Sequence, residues 1–281
     1  AELRGVIGAT YHDLDEYARA IEQHREALRL NRELFEGDHP EVAGSLTALS
    51  TALEHQGLLK EAEAAGSEGV AMWRRLVASN DPRLAAAESD IAWLLLKSGR
   101  AAEGEEMAAR AFEVWRANPG DQRLSEIPTA LAFIYKHTGR NALATPILRE
   151  ELARLREWHG AEHPTIANAL DNFGMHLVAL GENEEAEAVL REALAQGRKF
   201  HGDRSPHEDH VLARLATLAK RRGDLDAQLD LSRRAMEAGA RVYAEGHRYR
   251  SESQRQYART LLEQAELYLD RGLAEGATSV G

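Results

Sequence analysis

The stretch Pro40-Glu41-Val42-Ala43-Gly44-Ser45-Leu46-Thr47-Ala48-Leu49-Ser50-Thr51-Ala52-Leu53-Glu54-His55-Gln56-Gly57 decides the fold. Leu46, Leu49 and Leu53 are three or four residues apart, so they share one face of a helix. Ser50 sits inside that face and is small enough to let a second helix approach closely. Pro40 suits a first helical turn, where its fixed φ and missing N–H cost least. Gly57 suits the end, where a left-handed backbone closes the last turn.

The same marks return along the chain. Gly57, Gly99, Gly139, Gly181 and Gly223 are spaced by 42, 40, 42 and 42 residues. Pro40, Pro82, Gln122, Pro164 and Pro206 run 17 residues ahead of them. Leu49, Ile91, Leu131, Phe173 and Leu215 fall in register, each followed by a small residue: Ser50, Ala92, Ala132, Gly174 and Ala216. A second series follows each glycine, with Val70, Phe112, Leu152, Leu194 and Met236. Extended backward, the register meets Ile7, Gly8, Tyr11, Ala20 and Leu28, with Asp15 in the glycine slot. Extended forward, it meets Tyr257, Ala258 and Leu261 and then fades. Each unit reads as two antiparallel helices, which bury their apolar faces only when pairs stack. Asp38, Asp81 and Asp121 are expected to cap free N–H groups where the next unit begins.

This predicts an all-α array over residues 1–281. Its units run at about 1–41, 42–83, 84–123, 124–165, 166–207 and 208–249, with a cap over 250–276. No internal domain boundary is expected. A two-residue deletion places the weakest seam at Asn118-Pro119-Gly120-Asp121. Leu261-Leu262, Leu267 and Leu269 are expected to form a second capping helix, with loose residues from about Gly276 onward.

Composition excludes several classes. The 281 residues hold no cysteine, so disulfide scaffolds, thiolate metal sites and cysteine nucleophiles are out. Lys and Arg number 35 against 46 Asp and Glu, a net charge of −11. That balance argues against nonspecific nucleic-acid binding, which needs dense cations to neutralise phosphates. The longest apolar run is about Ile91 to Leu96, far short of the ~20 residues of a membrane span. The sequence opens on no basic-then-apolar leader, and a reducing cytoplasmic location is expected. Because it begins at Ala1 without Met, it reads as a cut-out domain or a processed product.

Ile7-Gly8, Tyr11, Tyr17, Ala20 and Ala27-Leu28 resemble the tetratricopeptide-repeat pattern. The 42-residue period is similar to the kinesin-light-chain subtype. So are Ala27-Leu28-Arg29-Leu30 through Gly37-Asp38-His39-Pro40-Glu41-Val42-Ala43, and Gly160-Ala161-Glu162-His163-Pro164. Units of this kind also occur in bacterial signalling proteins, including the tails of Ser/Thr kinases. The resemblance implies a right-handed superhelix of about six helix pairs plus a capping helix or pair. It also implies a concave groove lined by the first helix of each pair. Carried over residue by residue, that groove holds Thr47, Thr51, Ser89, Trp93, Thr129, Phe133, Asp171, Met175, Ala213, Thr217, Arg255 and Arg259. Asn172, His210 and Arg214 occupy slots of Asn, Lys and Arg in repeats that grip a C-terminal carboxylate, with His in place of Lys. The preceding unit has Thr129 and Phe133 where that clamp has Lys and Asn.

The candidate peptide-binding residues are therefore Trp93, Phe133, Asn172, His210, Arg214, Lys220, Arg255 and Arg259. The aromatics would anchor apolar side chains. The Asn, His and cations would hold acidic groups or a carboxyl terminus. Two plainer readings stay open: Trp93 as a packing residue in Ala92-Trp93-Leu94-Leu95-Leu96, and the arginines as balance for an acidic chain. A noncatalytic module that binds a partner's extended or helical segment is expected, with no cofactor. A regulatory or scaffold segment of a larger signalling enzyme and a self-associating structural array are the alternatives. No phosphate-binding glycine loop or nucleophile elbow appears. His207 and His210, three apart, are weak metal candidates that Asp203 or Asp209 would complete; a solvated loop is the plainer reading.

Overall fold

The computed structural model describes residues 1–118, 120–205, 207–243 and 248–278; at 248, 249 and 267–278 it describes the helical backbone only. Every regular element among the described residues is helical. The helices are α1 (Glu2–Asp13), α2 (Tyr17–Leu34), α3 (Pro40–His55), α4 (Leu59–Leu76), α5 (Pro82–Lys97), α6 (Ala101–Ala117), α7 (Ile127–His137), α8 (Asn141–His159), α9 (Pro164–Leu180), α10 (Asn183–His201), α11 (Glu208–Arg221), α12 (Leu225–Val242) and α13 (Arg248–Thr278).

The turn glycines do what their spacing asks. Gly57, Gly99, Gly139, Gly181 and Gly223 all have φ between 76° and 83°, and Asp15 takes the same left-handed region at 58°. The residue after each donates its N–H five residues back: Leu58 to Leu53, Arg100 to Leu95, Arg140 to Tyr135, Glu182 to Leu177, Asp224 to Ala219 and Glu16 to Tyr11. This bond satisfies a carbonyl that the helix end leaves bare. At the other end, Asp81 accepts from Arg83 N at 2.8 Å and Asp121 from Arg123 N at 3.0 Å. Asp38 does not cap. His39 takes that role by accepting from Glu41 N, and Asp38 instead binds the Arg75 guanidinium. His163 caps α9 in the same way.

Contacts divide the chain into two compact units, 1–148 and 149–281, with the division inside α8. The expected seam at 118–121 is not that division, and Pro119 lies outside the described residues. In the first unit, Leu46, Leu49, Leu53, Val70, Met72, Trp73, Ile91 and Leu95 form a continuous core. The small residues set helix spacing. A Cβ at Gly104 of α6 would lie 2.8 Å from the Ala92 Cα of α5. In the second unit, Leu170, Phe173 and Leu177 of α9 are buried, as are Leu190 of α10 and Leu212 and Leu215 of α11. Burying one such side chain contributes roughly 1.5–3 kcal/mol.

The cap differs from the sequence expectation. Residues 248–278 form one helix, not two, and Gly276–Thr278 belong to it. No turn residue separates Leu261 from Leu269. Leu261 and Leu262 remain exposed. The expected loose residues 279–281 lie outside the described residues.

Candidate functional site

In the first unit, the first helices of consecutive pairs leave a cavity of about 520 Å³. Its lining comes from α1, α3, α5 and α7: His12, Ser50, Thr51, Glu54, His55, Ser89, Asp90, Trp93, Leu94, Lys97, Glu126, Thr129 and Ala130. Trp93 is half-buried, with its indole turned edge-to-face to Phe133 at 5.9 Å. The Lys97 ammonium lies 5.7 Å from the Trp93 ring centre and that of Lys136 lies 5.5 Å from Phe133. Both aromatics therefore pack partly against neighbours while Trp93 keeps a face on the cavity.

The floor of this cavity is a network of titratable groups. Lys97 and His55 both bind Glu54. Burial acts to raise Glu54, but the hydrogen bonds from His55 and Lys97 outweigh it and hold the carboxyl below its usual range. The bond to Glu54 raises His55. His12 Nε2 stands 3.4 Å from His55 Nδ1, and burial together with that neighbour lowers His12. Asp90 is walled by protein, which raises its carboxyl to about 7, with Glu54 adding to the rise. Water reaches Asp90 from the open side, which moderates the shift.

In the second unit, Lys220, Arg255 and Arg259 meet around one cavity of about 550 Å³ between α11, α12 and α13, with Glu252 and Glu263 in the same walls. Lys220 binds Glu263 at 2.6 Å and Arg255 binds Glu252 at 2.6 Å. Arg259 has no ion-pair partner within 4.0 Å among the described residues; its charge acts on both glutamates from farther away.

Asn172 is half-buried on α9 and does not line this cavity. Arg214 is little exposed, and its Nη1 donates to Asp171 Oδ1 at 2.5 Å. Burial raises Asp171 even so, with Arg214 opposing the rise. Burial lowers His210. Asp171, His207 and His210 each bring one ligand atom within 4.8 Å of the others. The expected partners do not complete that cluster. Asp203 accepts from Arg241 through its backbone carbonyl, and buried Asp209 lies 3.7 Å from His210 and accepts from Ser253.

Apart from Asp171, the carboxylates on these inner faces are what sequence reading missed. A signal was available, because opposite charges recur 43 residues apart, one more than the period: Glu54 with Lys97, Asp171 with Arg214, Lys220 with Glu263. That offset joins neighbouring first helices.

Helix pairs closed by repeating left-handed turns, with the first helices lining open cavities, define a repeat protein of the α-solenoid class. The tetratricopeptide-repeat family profile matches residues 1–75 and 125–199, more than half the chain, and the chain belongs to that family. No curated protein sequence matches it. Solved structures share the fold at low identity. BtubC (BKLC) from P. vanneervenii has 20% identity and a TM-score of 0.66, over 83% of this chain and 95% of that one. A putative kinesin light chain with nearly identical TPR-like repeats from Podosopora anserina has 18% identity and a TM-score of 0.58, over 71% and 96%. A Rap protein complexed with Competence and Sporulation Factor has 15% identity and a TM-score of 0.62, over 94% and 75%. Among the described residues no helix is long and apolar enough to cross a membrane.

Proposed function

We propose that the chain is a noncatalytic interaction module that holds an extended or helical segment of a partner protein against its first helices. The observation that carries this reading is the make-up of the first-unit cavity, whose lining comes from α1, α3, α5 and α7 and includes one face of Trp93. A half-exposed indole held by Phe133 and Lys97 is a rigid apolar anchor of the kind that dominates interface energetics. In the second unit, Arg259, Arg255 and Lys220 supply the donors for an acidic side chain or a terminal carboxylate. The ligand must compete with Glu252 and Glu263 there, so Arg259 is the first contact. Arg214 is already committed to Asp171 and serves the groove less than its sequence position implies. A Rap protein similar in fold is solved in complex with Competence and Sporulation Factor, which supports a ligand-holding role for this fold.

A displayed library of random peptides, selected on the wild-type chain, tests this. Selected peptides, remade synthetically, should lose at least about tenfold in affinity on Trp93→Ala or Arg259→Ala, roughly 1.4 kcal/mol. Arg191→Ala, on the exposed face of α10, should leave them unchanged. Failure to select any binder, or binding to both cavity variants as tight as to the wild type, overturns the reading.

A further inference from the structure

The repeat breaks its own rule at one place. In four units an Asp or His stands just before the Pro slot and caps the next segment with its side chain: His39, Asp81, Asp121 and His163. Before α11 the pattern changes. A short 3-10 turn occupies Gly202–Arg204, and the helix starts only at Glu208. His207 takes the N-cap position with φ of 67°, and its side chain caps nothing. A left-handed backbone is costly for a residue with a Cβ, and such outliers gather where a side chain has another task. Here the displaced imidazole comes within reach of His210 and of Asp171, which lies on α9, one repeat earlier.

We propose that Asp171, His207 and His210 form a binding site for one divalent transition ion of the zinc type. The donor set is right for such an ion: two imidazoles and a carboxylate, with a fourth position left for water. The three ligand atoms lie within 4.8 Å of one another. A tetrahedral ion with bonds of about 2.0–2.1 Å holds its ligands about 3.3 Å apart. Closing that difference falls to His207, which is exposed at a helix start and free of capping duty. Arg214 takes Asp171 Oδ1, and the ion takes the second oxygen. Asp209 Oδ2, 3.7 Å from His210 Nε2, places a carboxylate close beside that ring, where carboxylates commonly accompany metal-bound histidine. The bound ion ties the rerouted entry of α11 to α9. The site rests on different residues from the proposed peptide cavities, so either can fail alone.

Titration calorimetry of the chelator-stripped chain with zinc chloride is the test, with the thermal midpoint read alongside. One saturable site at micromolar or lower zinc is expected, with a rise in midpoint, since an ion that binds only the folded state stabilises it. His207→Ala and His210→Ala should each weaken zinc binding at least about tenfold and abolish the rise; His207→Ala should also leave the zinc-free midpoint and helical circular dichroism as in the wild type, while the half-buried His210→Ala should keep the helical circular dichroism. His207 is exposed, so its replacement removes no buried packing. A His159→Ala variant, which removes one ring of a stacked histidine pair elsewhere, should bind as the wild type does. Absence of saturable binding, or binding retained by the His207→Ala/His210→Ala double variant, overturns the proposal.

Discussion

At the scale of single residues, the inner faces hold carboxylates whose environments pull against them. Asp90 has an ordinary value of 3.8, and its surroundings push it toward about 7 in the folded chain, moderated by water on its open side. Between those two, the folded chain holds a proton that the unfolded chain releases, so stability falls as pH rises through that window. Asp90→Asn removes the titration. Its thermal midpoint should match the wild type near pH 4 and exceed it near pH 8; a gap of equal size at both would show that the effect is not electrostatic. Asp171 and Arg214 pose the complementary case. Burial raises Asp171 despite its partner, so desolvation costs this pair more than attraction returns. Asp171→Ala leaves a little-exposed guanidinium unpaired and should cost ~3 kcal/mol in urea unfolding. Replacing both members by leucine should recover most of that loss. A double variant no better than the single would mean that the pair is a net source of stability.

At the scale of helices and turns, two kinds of glycine do different work, and substitution separates them. Gly57 has φ of 83° and open space around its Cβ position, so Gly57→Ala costs backbone strain alone, about 1–2 kcal/mol. Gly57→Asn should recover part of this, because asparagine tolerates the left-handed region. Gly104 carries no such φ, but a Cβ there meets the Ala92 backbone at 2.8 Å. Gly104→Ala should cost ~1–3 kcal/mol through overpacking, and asparagine should be worse. A Gly57→Asn no more stable than Gly57→Ala would refute the distinction. These roles were legible in the sequence because periodic glycines, prolines and small residues act locally, each within one turn or one helix contact. The cap was less legible: Leu261 and Leu262 look like a buried pair in sequence, but both are exposed on one continuous helix. The site was legible in part. Trp93 on the cavity side is what the family resemblance implies, and it lines the first-unit cavity. Glu252 stands three residues before Arg255 on α13, a pairing local spacing reveals, whereas Glu263 reaches Lys220 from a neighbouring repeat and shows only through the 43-residue charge offset.

At the scale of the whole molecule, the net charge of −11 and the local cations act on an acidic ligand with opposite signs and different ranges. Repulsion by the whole chain reaches as far as the screening length, about 30 Å at 0.01 M salt and about 8 Å at 0.15 M. Contacts with Arg259 and its neighbours act at hydrogen-bond distance, well inside either screening length. Raising salt from 0.01 to 0.15 M therefore removes mainly the repulsion, and association of an acidic peptide should become faster. A protein of opposite net charge shows the reverse, because steering by attraction weakens with salt. Higher salt then erodes the contacts themselves and speeds dissociation. Stopped-flow measurements on a selected acidic peptide should show kon rising over the low-salt range, with koff rising mainly above it. Arg259→Ala should raise koff and leave the rising trend of kon in place, since one charge in a total of −11 changes the long-range field little. A kon that falls steadily from the lowest salt would mean that the ligand meets a locally positive face before it senses the rest of the chain.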